Sequence, residues 1–329
     1  MAIVGYGYIA DYHARAIRGN IGTRLHGVLG RNAEACTAFA TRYGAQRTYT
    51  DPNTLAQDPE VDALLIAWPN ALHAPIAEMM MAAGKHVLVE KPMAINGAQA
   101  RSMERAATRH GVQLMVGHMW RFDREAQALR ALIKKGHLGD IVKTKGYGIH
   151  TEWGPSGWFT DAKLAGGGAL IDMGVHAIDT VRYLLGDPEP ESVFARLSTR
   201  HGDYSVDDEG VLIITWKNAT VSIIESGWWQ THSDGAEAST QLFGTKGYAR
   251  LFPTSWWYGK GEDKVSETPC FPPREEHCDQ HIYDGQISAF VEAIRGRKAL
   301  KPGPVEGRIV MDICDAAYQS SESGQVVRL

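Results

Sequence analysis

A lysine stands where a hydrophobic strand ends, in the stretch VLVEKPMA at residues 87–94. A lysine at the end of a buried strand gives up hydration unless a nearby group uses its charge. There it can donate a hydrogen bond to a reacting oxygen, with Glu90 holding its ammonium group. Pro92 fixes the turn and makes a cis peptide bond inexpensive. Lys91 is therefore a candidate catalytic residue, although a surface Glu–Lys pair would give the same pattern.

A second candidate pair follows three consecutive glycines in the stretch KLAGGGALIDMGVHAID. The glycines at 166–168 let the chain pass close to a ligand or another backbone. Asp172 and His176 are four residues apart, so they share one face of a helix. The carboxylate could bind a substrate hydroxyl, and the imidazole could accept its proton near neutral pH. We interpret them as an acid/base pair; a core histidine is the alternative, and Asp179 has a helix-surface or supporting role.

The N-terminal stretch IVGYGYIADYHARAI carries the pattern G-x-G-x-x-A, which is typical of dinucleotide binding. Gly5 permits a tight turn, Gly7 lets backbone amides approach a pyrophosphate, and Ala10 lets the helix pack closely on the strand. The pattern links a strand to a helix, whose N–H groups then face the phosphates. A glycine turn without a ligand is the alternative. We expect cofactor contacts from Gly5, Gly7, Tyr8, Ile9 and Ala10.

The end of the second strand, VLGRNAE, indicates which dinucleotide binds. NAD enzymes usually place Asp or Glu there, where it accepts hydrogen bonds from the ribose. This chain has Gly30, Arg31 and Asn32 instead. Arg31 could pair with a 2′-phosphate in bidentate fashion and stack on adenine. The sequence therefore favours NADP over NAD, with Arg31 and Asn32 as contacts; Glu34 reaching the ribose of NAD is the alternative.

Polar residues also follow the hydrophobic run DALLIAWP. Pro69 and Asn70 are expected at the carboxyl edge of the sheet, where open α/β sheets bind ligands. Asn70 could meet the nicotinamide ribose or only cap the next helix. For His73 a structural role is favoured over a catalytic one. We count all three among the cofactor contacts, together with Glu90 and Lys91.

These residues need two kinds of domain to position them. In residues 1–118, strand-length apolar runs alternate with helical patterns, which predicts a parallel sheet covered on both faces. In residues 119–329, the pattern predicts helices at about 123–135, 170–185, 282–296 and 306–318 and a strand near 141–150. Four strand-like runs follow the second of these helices. The fold class is therefore α/β, with a dinucleotide-binding domain at 1–118 and an α+β domain with an open, mostly antiparallel sheet at 119–329.

Composition excludes several functional classes. The formal net charge is −4 and no stretch is strongly basic, which argues against nucleic-acid binding. No apolar run approaches the length of a membrane helix, and we expect no signal peptide. Four cysteines lack C-x-x-C spacing, and no zinc-ligand pattern occurs, so we expect no metal. We interpret the thiols as reduced, in a cytoplasmic protein; a Cys270–Cys278 bridge is the disfavoured alternative.

The fingerprint, EKP and GGGALIDMGVHAID, in that order, resemble the glucose–fructose oxidoreductase/inositol dehydrogenase/MocA (Gfo/Idh/MocA) family over nearly the whole chain. GHMWRF, KKGHLGDI and AAYQSS add to the resemblance. It implies a Rossmann domain followed by an open-sheet α/β domain. It also implies that Lys91 contacts substrate and nicotinamide, and that Asp172 and His176 bind substrate and transfer its proton. The departure is Gly30–Arg31, where NAD-using members often carry Asp.

The implied reaction is reversible oxidation of a secondary alcohol on a sugar or cyclitol. His176 would remove the hydroxyl proton, Lys91 would bind the same oxygen, and the hydride would pass to the nicotinamide. Aromatic rings suit the C–H faces of sugars, so Trp120, Trp153 and Trp158 join the substrate contacts, with core packing as the alternative. Arg121 joins the cofactor contacts.

Three other functions remain open on the same fold: a glycosidase using bound NAD, a non-catalytic sugar or dinucleotide sensor, and an imine or biliverdin-type reductase. The family resemblance further implies a homo-oligomer, dimer or tetramer, assembled through the face of the second-domain sheet. The runs GVLIITW and SIIESGWW suit such an interface, though they could equally be core.

Overall fold

The computed structural model describes residues 1–231, 236–273 and 279–329 of the chain. The described residues form two compact units. The first contains Met1–Phe122 together with the later segment 279–308, and the second contains 123–231, 236–273 and 309–329. A boundary at 118/119 therefore lies close to the division after Phe122, but it does not describe the late segment that packs with the first unit.

The first unit is built on a six-stranded sheet in the order β3-β2-β1-β4-β5-β6, and every neighbouring pair is parallel. Its strands are β1 Ala2–Val4, β2 Gly27–Leu29, β3 Arg47–Tyr49, β4 Ala63–Ile66, β5 His86–Val89 and β6 Leu114–Val116. Its first five helices are α1 Tyr8–Gly19, α2 Ala33–Tyr43, α3 Pro52–Gln57, α4 His73–Ala82 and α5 Gly97–His110. The predicted parallel sheet is confirmed, because apolar runs do mark its buried strands.

The late segment adds a further helix, Gln280–Ile294, to the first unit. Its buried residues Tyr283, Ile287 and Phe290 pack in the same hydrophobic core as Tyr12 and Ile17 of α1. The rings of Tyr12 and Tyr283 stack with their centroids 5.0 Å apart. The late helix therefore covers the helix that begins at the fingerprint.

The second unit is built on a nine-stranded sheet in the order β14-β13-β12-β11-β7-β10-β9-β8-β15. Its strands are β7 Ile141–Thr151, β8 Pro190–Ser198, β9 Glu209–Trp216, β10 Val221–Gln230, β11 Ala238–Gly244, β12 Gly247–Leu251, β13 Ser255–Tyr258, β14 Val265–Glu267 and β15 Val327–Arg328. All neighbouring pairs are antiparallel except β7 with β10. The predicted mostly antiparallel sheet is confirmed.

The remaining helices are α6 Arg124–Lys134, α7 Ala162–Ala165, α8 Val175–Leu184, α9 Gln280–Ile294 and α10 Pro304–Ser323, together with a π-helical turn at Leu170–Gly174. Short 3-10 helices are Asn70–Leu72, Met119–Phe122, Gly157–Thr160 and Gly261–Asp263. Helix α8 packs on strands β7, β10 and β11, which buries one face of the second sheet. The candidate acid/base residues lie in this buried layer.

The described residues also bear on the membrane and thiol expectations. Among the helices of residues 1–231, 236–273 and 279–329, none has the length and hydropathy that a bilayer span requires. Cys36, Cys270 and Cys314 are free thiols. Cys278, the other half of the disfavoured bridge, lies outside the described residues.

Candidate active site

The fingerprint turn leaves open space at the start of α1. Gly5 has φ of +110°, and a Cβ there would collide with the carbonyl of Ala67, so only glycine fits. Gly7 begins the helix with no side-chain cap, and a Cβ there would meet nothing within 4 Å. Tyr8 is exposed and Ala10 is fully buried. The first N–H groups of α1, which no side chain caps, fit the pyrophosphate of a dinucleotide.

The turn after β2 is shaped by close packing. Any side chain at Gly30 would collide with the ring of Tyr6, so the carboxylate usual in NAD enzymes has no room there. Asn32 caps α2, its side-chain oxygen accepting from the Ala35 N–H at 2.9 Å. Arg31 is exposed at this edge. Of the two contacts predicted here, Arg31 thus offers a cationic group to a ligand, whereas the oxygen of Asn32 serves the helix.

The turn after β5 holds Lys91 by its backbone. Glu90 Oε2 accepts from the Lys91 N–H at 3.1 Å, and Glu90 Oε1 lies 2.6 Å from His13 Nε2. Burial alone would raise the pKa of Glu90, but the hydrogen bond and charge of His13, with Lys91, hold that pKa below its usual range. The Lys91–Pro92 peptide bond is cis. Glu90 therefore fixes the backbone from which the Lys91 side chain extends, and His13 fixes Glu90.

His73 joins two of the strand-end turns. Its Nδ1 lies 2.8 Å from the carbonyl oxygen of Pro92, and its Nε2 lies 2.8 Å from that of Trp68. The imidazole is 1% exposed, and burial lowers its pKa despite these contacts. This arrangement supports the structural role that the sequence favoured. Asn70, 5% exposed, starts the 3-10 helix between these turns.

The other predicted residues of this unit follow β6. Trp120 is half-buried and Arg121 is buried, both in the 3-10 helix Met119–Phe122. Strands β2, β1, β4, β5 and β6 are consecutive neighbours in the parallel sheet, and each predicted cofactor contact follows the carboxyl end of one of them. The structure therefore gathers them along the sheet edge where α/β proteins bind ligands.

In the second unit, Gly167 and Gly168 pack closely against Tyr318 and Asp207, whereas Gly166 ends α7 in the left-handed conformation with φ of +83°. A Cβ at Gly167 would collide with the Tyr318 hydroxyl, and a Cβ at Gly168 would collide with the Asp207 backbone. Asp207 Oδ1 accepts from the Gly168 N–H at 2.8 Å and from the Tyr318 hydroxyl at 2.6 Å, and Oδ2 accepts from the Leu170 N–H at 2.8 Å. The close approach is therefore to another backbone at Gly168 and to a side chain at Gly167, and the Asp207 hydrogen bonds anchor the chain just before Asp172.

Asp172 lies in the π-helical turn, and His176 lies in the first turn of α8. Both are nearly buried, at 9% and 8% exposed. Asp172 Oδ2 accepts from the Trp228 indole N–H at 3.1 Å and lies 3.3 Å from His150 Nε2. A π-helical turn within an α-helix is frequent at functional sites. The predicted helix thus begins with a wider turn, and two nitrogen groups orient the Asp172 carboxylate.

His150, at the end of β7, did not stand out in the sequence. It is 6% exposed, and its ring stacks on Trp153 with centroids 3.7 Å apart. Trp153 also donates to Glu237 Oε1 at 2.6 Å. No sequence signal marked His150, because the burial of the residues that end β7 appears only in the folded chain.

The two other aromatic residues before the glycines stack on each other. The ring centroids of Trp158 and Phe159 are 3.9 Å apart. Phe159 packs against the small core of Ala169, Val206 and Trp228. Phe159 thus has the packing role, whereas Trp158, only partly buried, keeps a surface available to a ligand.

Comparison with known proteins agrees with this architecture. Residues 1–118 match a family model described as an oxidoreductase family with an NAD-binding Rossmann fold. Residues 126–250 match the GFO/IDH/MocA C-terminal domain. The chain belongs to the Gfo/Idh/MocA family of oxidoreductases. The first unit is thus a Rossmann domain that binds NAD or NADP, as the family resemblance implied.

Relatives in the Gfo/Idh/MocA family span the full chain. D-glucoside 3-dehydrogenase of Escherichia coli is 29% identical, covering 100% of this chain and 97% of its own. Inositol 2-dehydrogenase of Rhizobium meliloti is 28% identical, and the match covers 97% of this chain and 95% of the relative. The solved structure of levoglucosan dehydrogenase in complex with NADH and L-sorbose is 25% identical, with a TM-score of 0.90, and the match covers 99% of this chain and 97% of that one.

Proposed function

We propose that this oxidoreductase reversibly oxidises a secondary hydroxyl group of a sugar, sugar derivative or cyclitol. The observation that carries the proposal is the nearly buried Asp172 carboxylate, oriented by Trp228 and His150 one turn before His176. A carboxylate held in place can bind a hydroxyl group, and the His176 imidazole one turn later can accept its proton. The names of the relatives, which concern glucosides, inositol and levoglucosan, support a hydroxylated ring as substrate.

Each proposed catalytic side chain has a separate task. Lys91, held at its backbone by Glu90, donates to the oxygen of the reacting hydroxyl and stabilises its developing negative charge, which can contribute roughly 3 kcal/mol in a water-poor site. His176 accepts the hydroxyl proton, a step that contributes about 10²–10⁴-fold. Asp172 binds a substrate hydroxyl and orients the imidazole. When bound, the dinucleotide supplies the nicotinamide carbon that accepts the hydride.

A substrate panel tests this function. The purified protein is incubated with NAD⁺ and NADP⁺ against glucosides, anhydrosugars, inositols and sugar acids, and absorbance is followed at 340 nm. We expect a rise with at least one ring alcohol, and no fall in absorbance when imines are offered with NADH or NADPH instead. Sugar release without net reduction of the cofactor would instead indicate the glycosidase that uses bound NAD.

We further propose NADP as the preferred cofactor, and Arg31 tests it. Arg31→Ala should weaken NADP binding at least about tenfold and NAD binding far less, because only NADP carries the 2′-phosphate. The dissociation constants can be measured by quenching of protein fluorescence. Arg18→Ala, another exposed arginine of the first unit, is the matched control. An equal loss for both dinucleotides in Arg31→Ala would contradict the preference for NADP.

A homo-oligomer, dimer or tetramer, is also part of the proposal. On β9 the side chains alternate, so Leu212, Ile214 and Trp216 are buried, whereas Val211 and Ile213 are 45% and 42% exposed. Ile213 pairs across the sheet with the partly buried Ile223 of β10, which extends the apolar face. Such a face suits burial between subunits.

Ile213→Glu should reduce the molar mass measured by light scattering, because it places a charge in the proposed interface. Ile21→Glu, at a fully exposed hydrophobic position of the first unit, is the control and should keep the wild-type mass. A wild-type mass equal to that of one chain would contradict the oligomer.

The cytoplasm is the location we propose for this activity. The free thiols Cys36 and Cys314, both buried, suit a reducing compartment. The net charge of −4 also suits small-molecule substrates rather than nucleic acid or anionic membrane as partners.

A further inference from the structure

The imidazole of His150 lies between two carboxylates of the second unit. Its Nε2 is 3.3 Å from Asp172 Oδ2, and its Nδ1 is 3.4 Å from Glu237 Oε1. The indole of Trp153 stacks on the ring at an interplanar angle of 30° and donates to the same oxygen of Glu237. The ring is therefore fixed in orientation, with an acceptor group facing each nitrogen.

This geometry selects one protonation state. A neutral imidazole has one N–H and can serve only one of the two carboxylates, whereas an imidazolium can donate to both. Burial opposes the charge, but the hydrogen bonds and charges of Asp172 and Glu237 outweigh it, so the pKa of His150 is raised. Among the residues that the structure describes, Asp172 from the π-helical turn and Glu237 from the segment before β11 are the charged groups that face the ring; Trp153 and Trp228 add donors that do not titrate.

The side chains of Asp172, His150 and Glu237 form a row that runs from the buried acid/base layer toward the surface. The Asp172 side chain is 10% exposed and the Glu237 side chain is 27% exposed. A nearly buried carboxylate is costly to ionise unless a positive charge lies beside it. His150 supplies that charge, and Glu237 helps His150 to keep it.

We propose that His150 is a positioning residue that keeps the Asp172 carboxylate ionised and oriented through an imidazolium bridge to Glu237. The bridge needs a protonated His150 and ionised carboxylates, so it is lost as pH rises through the folded-state pKa of His150. It then sets the upper pH limit of the reaction. The link to activity rests on the proposed function; the bridge itself does not.

An NMR titration of the histidine ring tests the bridge without cofactor or substrate. The His150 resonance is assigned by its absence from His150→Gln, and its midpoint is measured in the wild type and in Glu237→Gln. We expect a midpoint above that of ordinary histidine, and a lower midpoint in Glu237→Gln, because one of the two stabilising charges is gone. A wild-type midpoint at or below the ordinary value, or no effect of Glu237→Gln, would overturn the bridge.

The pH profile of kcat/KM tests the role in the reaction. Glu237→Gln should move the upper limit to lower pH. His150→Phe keeps the stacking on Trp153 but removes both donors, so it should lower kcat/KM about tenfold or more at neutral pH. His110→Phe, at an exposed histidine of α5, should change neither quantity.

The two measurements separate the possible failures. Unchanged pH limits in Glu237→Gln and full activity in His150→Phe would overturn the positioning role even if the titration shows the bridge. If no ring alcohol reacts at all, the proposed function fails, and the titration still decides whether the bridge exists.

Discussion

Replacing Lys91 with methionine should lower kcat for oxidation of the ring alcohol by at least about 10²-fold while dinucleotide binding is retained. Methionine keeps most of the length of the side chain and removes the ammonium group that stabilises the developing charge on oxygen. The turn itself should persist, because Glu90 holds Lys91 through its backbone N–H and His13 holds Glu90. Initial rates at 340 nm give kcat, and fluorescence quenching gives the dissociation constant of the dinucleotide.

The matched control for this variant is Lys217→Met. Lys217 is exposed in the hairpin between β9 and β10, so the same chemical change there should leave kcat unaffected. A near-normal kcat in Lys91→Met would remove the catalytic role of the lysine. A loss of dinucleotide binding together with activity would assign Lys91 to cofactor binding alone.

The second large effect concerns the acid/base pair. His176→Ala should lower kcat by at least about 10²-fold, because no other group is assigned to accept the hydroxyl proton. Asp172→Asn should also lower kcat, because the amide oxygen can still accept from the Trp228 indole but the side chain no longer faces His150 as an anion. Rates across pH, measured with saturating cofactor, separate loss of the proton acceptor from weaker substrate binding.

His110→Ala is the control for the histidine variant, since His110 is exposed near the end of α5. Folding of each variant is checked by its thermal unfolding midpoint, because Asp172 and His176 are both nearly buried. Wild-type kcat in a folded His176→Ala protein would show that another group takes the proton.

Much of the fold could be predicted from the sequence because buried strands leave long apolar runs. No such run marks strand β3, Arg47–Tyr49, because two of its three residues are exposed. The return of segment 279–308 to the first unit also could not be predicted. It depends on long-range packing of Tyr283 and Phe290 against α1, which leaves no local pattern.

The candidate site also contains residues that the sequence indicates and residues that it does not. The fingerprint, Lys91 and the Asp172–His176 pair stand in short motifs whose residue types and spacing already suggest their chemistry. The groups that hold them do not. His13 and Glu90 are 77 positions apart, and the Trp228–Asp172 bond spans 56. His150, His13 and Asp207 therefore become visible only once the chain is folded, because their partners are distant in sequence.

The most direct test of the proposed reaction follows a deuterium atom. The most active ring alcohol of the substrate panel is labelled with deuterium at its reacting carbon, and the reduced cofactor is isolated and analysed by mass spectrometry and NMR. A net hydride transfer predicts deuterium at C4 of the reduced nicotinamide in amounts equal to the ketone formed. Deuterium that stays on the sugar, with the cofactor left oxidised, would contradict the assignment of this protein as a dehydrogenase of ring alcohols.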